Sequence, residues 1–292
     1  MNWITGIQKA IDYMEAHLTE DIDYEAVAKE AYSSEFHFQR VFGILCGFTV
    51  GDYVRMRRLA LAALELRNTD DKVIEIALKY GYDTPESFSR AFARFHGVTP
   101  TEARHGKNVK SFSRLSVKLI LTGGSTMNYR IEKMNGFQVI CKRKTVGKTA
   151  SATATKDISA FWDECKANGS IQNICSYFPT EPKLKGLLGI CFSKDMEGDK
   201  FSYGIGVEYD GRPVAHEELE IIEIPAHTYA VFTCKGKMPD AFVETYKRIV
   251  SEFFPQNDRY EYGQGIELEV YPSDEVDNPN YTCEVWIAVN EK

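Results

Sequence analysis

The sequence predicts a multidomain protein, with an all-α region of two tandem helix-turn-helix motifs followed by an α+β region built from two similar halves. Two observations lead to this prediction. A short helical motif occurs twice, 50 residues apart, as Phe38-Gln39-Arg40-Val41-Phe42 and as Phe88-Ser89-Arg90-Ala91-Phe92. From Met127 onward, short β-rich runs replace the helical spacing of apolar residues. The repeat indicates two similar helical modules, and the change of pattern indicates a second domain.

In each copy, an amphipathic run at residues 27–31 or 73–80 precedes the motif, and a short break separates the two. Ser34 and Thr84 stand at the end of these breaks, where a hydroxyl oxygen can accept from the free amides of a helix's first turn. Pro85 follows at the first helical position, where its missing N–H is no loss. The pattern predicts helix, tight turn and helix, twice.

The second helix of each module separates apolar from polar positions. Phe88 and Phe92 are four residues apart and so share a face that we expect to be buried, as we do for the equivalent pair in the first copy. Ser89 and Arg90 point elsewhere. A helix that buries aromatic residues and presents polar ones suits the major groove of DNA.

Between the two modules, residues 50–66 follow a single helical pattern that carries Arg55, Arg57 and Arg58. Such a helix would hold the modules at a fixed separation, for which about 34 Å, one turn of DNA, is the useful value. Residues 35–114 contain 13 Lys and Arg against 9 Asp and Glu, whereas the whole chain has a net charge of -7. Only this segment is basic, as phosphate contact requires, and so small an excess argues against a non-specific architectural DNA protein.

Residues 23–104 resemble the DNA-binding domain of the AraC/XylS family of transcription regulators. The residues that carry the resemblance are Ile76-Ala77, Gly81-Tyr82, Phe88-Ser89-Arg90, Phe92, Gly97, Thr99-Pro100 and Arg104, at fixed spacing. The first copy departs from the pattern at Tyr32, where the family usually has glycine, and at Ser33, where it usually has an apolar residue.

The resemblance implies DNA contacts from both modules and contact with RNA polymerase. For the first groove it implies Ser34, Phe36, His37, Gln39 and Arg40. For the second groove it implies Pro85, Glu86, Ser89 and Arg90, with Arg94 near phosphate. An alternative stays open for the individual arginines, since Arg40 and Arg90 could brace the protein through internal ion pairs.

At 292 residues and 43% hydrophobic content, the chain has room for two domains with cores of their own. We predict a DNA-binding domain at residues 1–107, a linker at 108–126 and a second domain at 127–292. The linker contains Gly123 and Gly124, and the alternation at residues 115–121 predicts a strand that adds to the second domain.

Composition sets the expected compartment and cofactors. No uncharged apolar run reaches the roughly 18 residues of a membrane span, and the N-terminus lacks the layout of a signal peptide. The seven cysteines are odd in number and have no C-x-x-C spacing, which favours reduced thiols in a cytoplasmic protein. The six histidines have no helical pairing typical of metal ligands, so we predict neither a metal site nor a cofactor.

The region after residue 127 contains β-rich runs interrupted by helical patterns at residues 156–168 and 240–254. The β-rich runs lie at 129–131, 138–145, 185–192, 201–208, 218–224, 227–235, 265–271 and 281–289. Their order predicts two similar halves that share one sheet and leave a cleft between them.

This region resembles the GyrI-like effector-binding domain, which also follows AraC-type domains in Rob-like regulators. The residues that carry the resemblance are Met127-Asn128-Tyr129-Arg130-Ile131, Ile158, Trp162, Tyr203-Gly204-Ile205-Gly206-Val207, Ile224-Pro225-Ala226, Tyr229-Ala230-Val231-Phe232, Glu269-Val270-Tyr271 and Glu284-Val285-Trp286-Ile287. The resemblance implies a site for diverse toxic compounds.

We expect Glu269 to be the charged centre of the predicted cleft, within aromatic walls formed by Trp162, Tyr203, Tyr229, Tyr271 and Trp286. A carboxylate among aromatic rings favours a cationic partner, so the expected effector is an amphipathic, cationic aromatic molecule. The alternative is that Trp162 and Trp286 belong to the core and that Glu269 pairs with a nearby basic side chain on a solvated strand. Glu267 and Glu269 would then form a solvated acidic face, since they alternate along one strand.

The predicted function is a sequence-specific DNA-binding transcription regulator, not an enzyme, that responds to a small-molecule effector. A ligand alters DNA binding to the extent that it favours one arrangement of the protein over another. The alternative from another class is a GyrI-like hydrolase of toxins, or a sequestering protein, fused to a DNA-binding domain. A glutamate beside tyrosines could serve such a hydrolase as general base. Operator, effector, sign of regulation and oligomeric state stay open.

Overall fold

The computed structural model describes residues 3–117, 127–147, 152–197, 200–263 and 265–292 of the chain. The chain divides into two compact units. The N-terminal unit contains Met1–Glu35 and Phe48–Ile120, and the C-terminal unit contains Phe36–Gly47 and Leu121–Lys292. This division departs from the predicted domains at one segment, since residues 36–47, the second helix of the first module, belong to the C-terminal unit.

Residues 3–104 are helical apart from short connections, as predicted. The helices are α1 (Trp3–Ala16), α2 (Tyr24–Glu30), α3 (Glu35–Cys46), α4 (Val50–Asn68), α5 (Val73–Lys79), α6 (Pro85–His96) and α7 (Pro100–Arg104). The predicted long helix between the modules is confirmed as α4. A capping box begins it, in which Asp52 N donates to Thr49 Oγ1 at 2.9 Å.

The second module, α5 with α6, has the predicted start and core. Ser87 N donates to Thr84 Oγ1 at 3.2 Å, and Pro85 occupies the first turn. Phe88 and Phe92 are fully buried in a cluster formed with residues of α4, α5 and α7. The opposite face of α6 is therefore left to its polar residues.

Both turns end their first helix in the same way. Ser33 N donates to Ala28 O at 3.1 Å, and in the second module Tyr82 N donates to Ala77 O at 3.0 Å. This arrangement places the residue before each donor in the left-handed region, which glycine adopts without strain. Gly81 has φ 79°, and Tyr32 has φ 54°. The departure from the family pattern at Tyr32 therefore keeps the turn and adds backbone strain.

The described part of the predicted linker, residues 108–117, packs against the N-terminal unit. The Phe112 ring lies 5.9 Å from Phe48 and 6.0 Å from Tyr53, between centroids. Leu115 N donates to the Tyr53 hydroxyl at 3.1 Å. The strand predicted at 115–121 is wrong for residues 115–117, which form no strand. Residues 118–126, with the two predicted linker glycines, lie outside the described residues.

The C-terminal unit is α+β, as predicted. Its elements after α3 are β1 (Tyr129–Met134), β2 (Phe137–Gly147), α8 (Ala152–Ala167), α9 (Ser170–Cys175), β3 (Leu187–Glu197), β4 (Lys200–Glu208), β5 (Glu220–Ile224), β6 (His227–Lys235), α10 (Asp240–Arg248), a π-helical segment (Ile249–Phe253), α11 (Phe254–Gln256), β7 (Tyr260–Tyr262), β8 (Glu267–Tyr271) and β9 (Thr282–Glu291). Helix α9 and strand β7 were not predicted.

The strands form one antiparallel sheet in the order β1-β6-β9-β8-β3-β4-β2-β5, with β7 paired to β9. With β7 set aside, each half contributes its second, fourth and third strand to this order, and its first strand pairs with a strand of the other half. The two halves meet where β3 pairs with β8. The prediction of two similar halves in one sheet is confirmed, and β8 lies at its centre.

The two faces of the sheet carry separate clusters of buried residues. One cluster includes Cys191 and Tyr203 and packs against α8 and α9. The other includes Ile224 from β5, at one end of the strand order, and Tyr229 from β6, next to the opposite end. The two-residue connections β1–β2 and β5–β6 also link those ends, so the sheet curls around this second cluster.

No helix among the described residues is long and apolar enough to cross a membrane. The His, Cys, Asp and Glu side chains of the described residues form no group of three or more that could hold a metal ion. All seven cysteines are free thiols.

We expect Tyr32→Gly to be more stable than Tyr32→Ala by about 1 kcal/mol, because only glycine adopts the left-handed conformation without strain. Both variants remove the exposed contact of the Tyr32 hydroxyl with Lys9 Nζ, so that loss cancels in the comparison. Urea unfolding of the two full-length variants measures the difference. Equal stabilities would contradict the strained turn.

Candidate functional site

Strand β8 places two buried carboxylates on the same face of the sheet. Glu267 and Glu269 are two residues apart along the strand, and their exposed fractions are 1% and 5%. A carboxylate that loses its water costs several kcal/mol unless it gains hydrogen bonds and an opposite charge. The surroundings must therefore supply both.

Four tyrosine hydroxyls supply the hydrogen bonds, two for each carboxylate. Tyr246 and Tyr262 donate to Glu267 Oε1 at 3.1 and 3.0 Å, and Tyr203 and Tyr271 donate to Glu269 Oε2 at 2.8 and 2.9 Å. Burial and the adjacent carboxylates raise the pKa of all four tyrosines well above the usual value, so the hydroxyls stay protonated as donors.

A glycine on the neighbouring strand allows one of these hydrogen bonds to form. Gly189 on β3 pairs with Glu269, and a Cβ atom there would lie 2.2 Å from the Tyr203 hydroxyl and 2.6 Å from Glu269 Oε2. Trp162 on α8 completes the arrangement, because its Nε1 donates to the Tyr203 hydroxyl at 3.1 Å. Its ring also lies against Tyr271, with centroids 5.3 Å apart.

The opposite charge comes from helix α3. Arg40 Nη1 lies 3.1 Å from Glu267 Oε2, and Arg40 Nη2 lies 3.2 Å from Glu269 Oε1. Nη1 also donates to Cys191 Sγ at 2.8 Å. The guanidinium carbon is 4.9 Å from the Tyr246 ring centroid and 5.4 Å from that of Phe242. One arginine thus bridges two carboxylates between aromatic rings.

The two glutamates, Arg40 and the surrounding aromatic side chains form what we call the Glu267–Glu269 cluster. Electrostatic interactions within it favour the charged forms of Glu267 and Arg40. Burial by itself would raise the pKa of Glu267, but Arg40 and His37 lower it to about 2. Burial would likewise lower the pKa of Arg40, whereas the acidic groups around it hold that pKa well above the usual value. Burial lowers the pKa of His37. The Glu267 carboxylate is therefore ionised opposite the Arg40 guanidinium.

Two further residues of α3 contact the same face. The rings of Phe36 and Phe201 meet edge to face with centroids 5.3 Å apart, and Phe36 belongs to the cluster that contains Tyr203. The His37 ring stacks on Tyr262 with centroids 3.3 Å apart, and its Nδ1 is 3.8 Å from Glu267 Oε1.

The structure brings together four of the six residues predicted to surround the effector: Trp162, Tyr203, Glu269 and Tyr271. The expectation that Tyr229 and Trp286 lie beside Glu269 is wrong. Glu269 pairs with Val285 on β9, so Trp286, one residue further, points to the opposite face. Tyr229 shares that opposite face, with its ring 5.8 Å from that of Trp286. The alternative of core tryptophans therefore holds for Trp286, and the two glutamates are not solvated.

The DNA-contact residues predicted for the first module lie mostly out of solvent. Phe36 and His37 are 1% exposed, Gln39 4% and Arg40 8%, while Ser34 is half-buried. The open alternative for Arg40, an internal ion pair, is the arrangement present. DNA does not reach these side chains in this conformation, and their groove contacts stay a prediction.

The residues predicted for the second module lie on the open side of α6. Glu86, Arg90 and Arg94 are exposed, and Pro85 and Ser89 are half-buried. The three exposed residues lie away from the buried Phe88 and Phe92, whereas Pro85 and Ser89, each three residues before one of these rings, lie at the edge of the buried face. Arg40 and Arg90 occupy equivalent positions of the repeat, yet one is buried and the other exposed.

Comparison with known proteins identifies both regions. Residues 27–106 match a helix-turn-helix domain family, and residues 130–289 match the family described as integron-associated effector binding protein. The regulatory protein SoxS of Escherichia coli is 39% identical over 99 residues, which is 34% of this chain and 92% of SoxS. The chain is an AraC-type transcription regulator with an effector-binding domain of the integron-associated family.

Further relatives match one region each. The transcriptional regulator Rob of Salmonella typhimurium is 34% identical to this AraC-type regulator over 106 residues, 36% of this chain and 37% of Rob. A solved protein bound to tetraphenylphosphonium matches with a TM-score of 0.48 and 22% identity, over 56% of this chain and 94% of that chain.

Sequence reasoning missed part of the site in this AraC-type regulator. Glu267 alternates with Glu269, which is the signal that could have added it to the pocket. Tyr246 and Tyr262 come from α10 and β7 and gave no local signal. For Arg40 of α3, the sequence left an internal ion pair open, but the match of α3 to a DNA-contact pattern gave no sign that its partners would be Glu267 and Glu269.

We expect Gly189→Ala to cost about 1–3 kcal/mol in unfolding free energy, because the new methyl would overlap the Tyr203–Glu269 hydrogen bond. Urea unfolding measures the loss, and the fluorescence of Trp162 should report the displaced Tyr203. Gly136→Ala is the control, since a Cβ atom there meets nothing closer than 3.5 Å. Similar losses in both variants would show that Gly189 has no special role.

Proposed function

We propose that this regulator binds an organic cation with aromatic or other apolar groups at the Glu267–Glu269 cluster. The observation that supports the proposal is the environment of Arg40, a cation enclosed by two carboxylates and aromatic rings. The carboxylates and rings that stabilise the buried guanidinium can stabilise a ligand cation of the same chemistry in the same way.

The properties of Arg40 define the ligand class. A guanidinium is planar, delocalised and weakly hydrated, so it loses less on leaving water than an ammonium does. The aromatic rings around it add cation–π attraction, which grows when the partners are desolvated. The preferred ligand is therefore a bulky cation of spread charge, rather than a small, strongly hydrated one.

The site supports a sensor better than a hydrolase. A general base needs a carboxylate oxygen free to accept a proton from water, whereas the Glu269 oxygens accept from Tyr203 and Tyr271 and face Arg40. The relatives that match the helical region are transcription regulators. A sensing role also gives the DNA-binding region a purpose, which a hydrolytic role leaves unexplained.

For DNA we propose that α6 enters the major groove, with Ser89 and Arg90 towards the bases and Arg94 near phosphate. The exposed polar side of α6 and its buried aromatic side support this proposal. Groove contacts by Ser34, Phe36, His37, Gln39 and Arg40 of the first module, and contact with RNA polymerase, belong to the same proposal.

Calorimetric titration with tetraphenylphosphonium tests the ligand class, with triphenylphosphine oxide as the uncharged counterpart. We expect Glu269→Gln to weaken binding of the cation at least tenfold, about 1.4 kcal/mol, and to change the affinity of the neutral compound little. Glu284→Gln is the matched control, because Glu284 pairs with Val270 on β8 and so belongs to the opposite face. Loss of cation binding in the control alone would move the site to that face.

Arg90→Ala should weaken binding to a duplex selected by the wild-type protein from a random pool by about 1–3 kcal/mol. Fluorescence anisotropy of the labelled duplex measures the change. Arg259→Ala removes an equal charge from an exposed position of the C-terminal unit and is expected to bind normally. An undiminished affinity of Arg90→Ala would contradict the groove assignment of α6.

A further inference from the structure

Helix α3 has two incompatible uses for one set of side chains. The sequence repeat makes α3 the counterpart of α6, with Arg40 equivalent to Arg90. In the structure, Arg40 is enclosed by the Glu267–Glu269 cluster, where it cannot contact a base or a phosphate. The same guanidinium cannot serve both partners at once.

The fit between α3 and the cluster extends beyond one ion pair. Phe36 and His37 lie on the same side of the helix as Arg40, because they precede it by four and three residues. Phe36 meets Phe201, His37 stacks on Tyr262 and Arg40 bridges both carboxylates. The contacts are thus apolar, aromatic and ionic, which are also the three that suit an aromatic cation.

We propose that α3 is the resident occupant of the effector site, and that a cationic effector competes with it for Glu267 and Glu269. The inference rests on the proposed function, since it requires that the effector enters this site. A bound effector displaces the Arg40 guanidinium and leaves the DNA-contact residues of α3 accessible. The protein then has two recognition helices for DNA instead of one.

Competition fixes how the two ligands affect each other. We call the protein docked when α3 occupies the effector site and undocked when α3 has left it. An effector that binds only the undocked state has its affinity reduced in proportion to the fraction of molecules in that state. The reduction is about 100-fold if α3 is docked 99% of the time. DNA that contacts α3 also binds only the undocked state. Effector and DNA therefore strengthen each other's binding by the same factor, as linkage requires.

The test compares equivalent arginines of the repeat in the full-length protein, with tetraphenylphosphonium as the probe. Arg40→Ala should bind the probe at least tenfold more tightly than wild type, because the internal competitor is weakened. Phe36→Ala, which changes no charge, should shift the affinity in the same direction. Arg90→Ala should match the wild type. Unchanged or weaker binding by Arg40→Ala and Phe36→Ala would overturn the proposal.

Hydrogen–deuterium exchange of the wild-type protein provides a second readout that needs no variant to fold. Adding the probe should accelerate amide exchange within Glu35–Cys46 and leave Pro85–His96 unchanged. Probe binding without faster exchange in α3 would overturn the competition and leave the proposed ligand class standing. No probe binding by wild type or by Arg40→Ala would overturn both, starting with the proposed function.

Discussion

The Glu267–Glu269 pair is the constraint on which the rest of the structure depends. Two carboxylates buried a few ångströms apart repel each other and lose their hydration, so the fold has to supply donors and positive charge. Tyrosines from three strands and a helix supply the donors, and Gly189 leaves the space that one of these hydrogen bonds needs. The positive charge comes from α3. Without Arg40, the buried carboxylates would need another cation, entry of water or protonation to remain stable.

The sheet determines which residues take part in that site. Its two halves meet at the β3–β8 pair, so β8 lies at the centre of the strand order, and helices from both halves contribute to the same face. Because successive side chains of a strand point to opposite faces of the sheet, the aromatic residues are divided between the two faces. Trp162 and Tyr203 lie with Glu269, whereas Trp286 packs in the cluster around which the sheet curls. A shift of one residue in the pairing of β8 with β9 would exchange these roles.

Much of the architecture follows from local patterns, because helical and strand periodicities depend on neighbouring residues. The limits of β6 and the Thr84 cap were predicted on this basis, as was the two-half organisation. The face on which Trp286 lies was not predicted, because the register between strands that are distant in the sequence does not show in the residues around them. The partner of Glu269 was hidden for a similar reason, as Arg40 is 229 residues away in the sequence. Arg40 also matches the helix-turn-helix motif. A motif does not tell whether such an arginine binds DNA or an acidic pair within the protein, because both suit its chemistry.

The covalent attachment of Arg40 has a consequence for how such a protein responds. A competitor that belongs to the same chain is present at a constant ratio of one per site and is never diluted by growth, export or metabolism. Under the proposed competition, the effector concentration that triggers a response depends on how well α3 fits its pocket, and it does not change with the abundance of the protein. Substitutions along one side of a single helix would move that threshold up or down, and none of them would need to alter the walls that contact the signal.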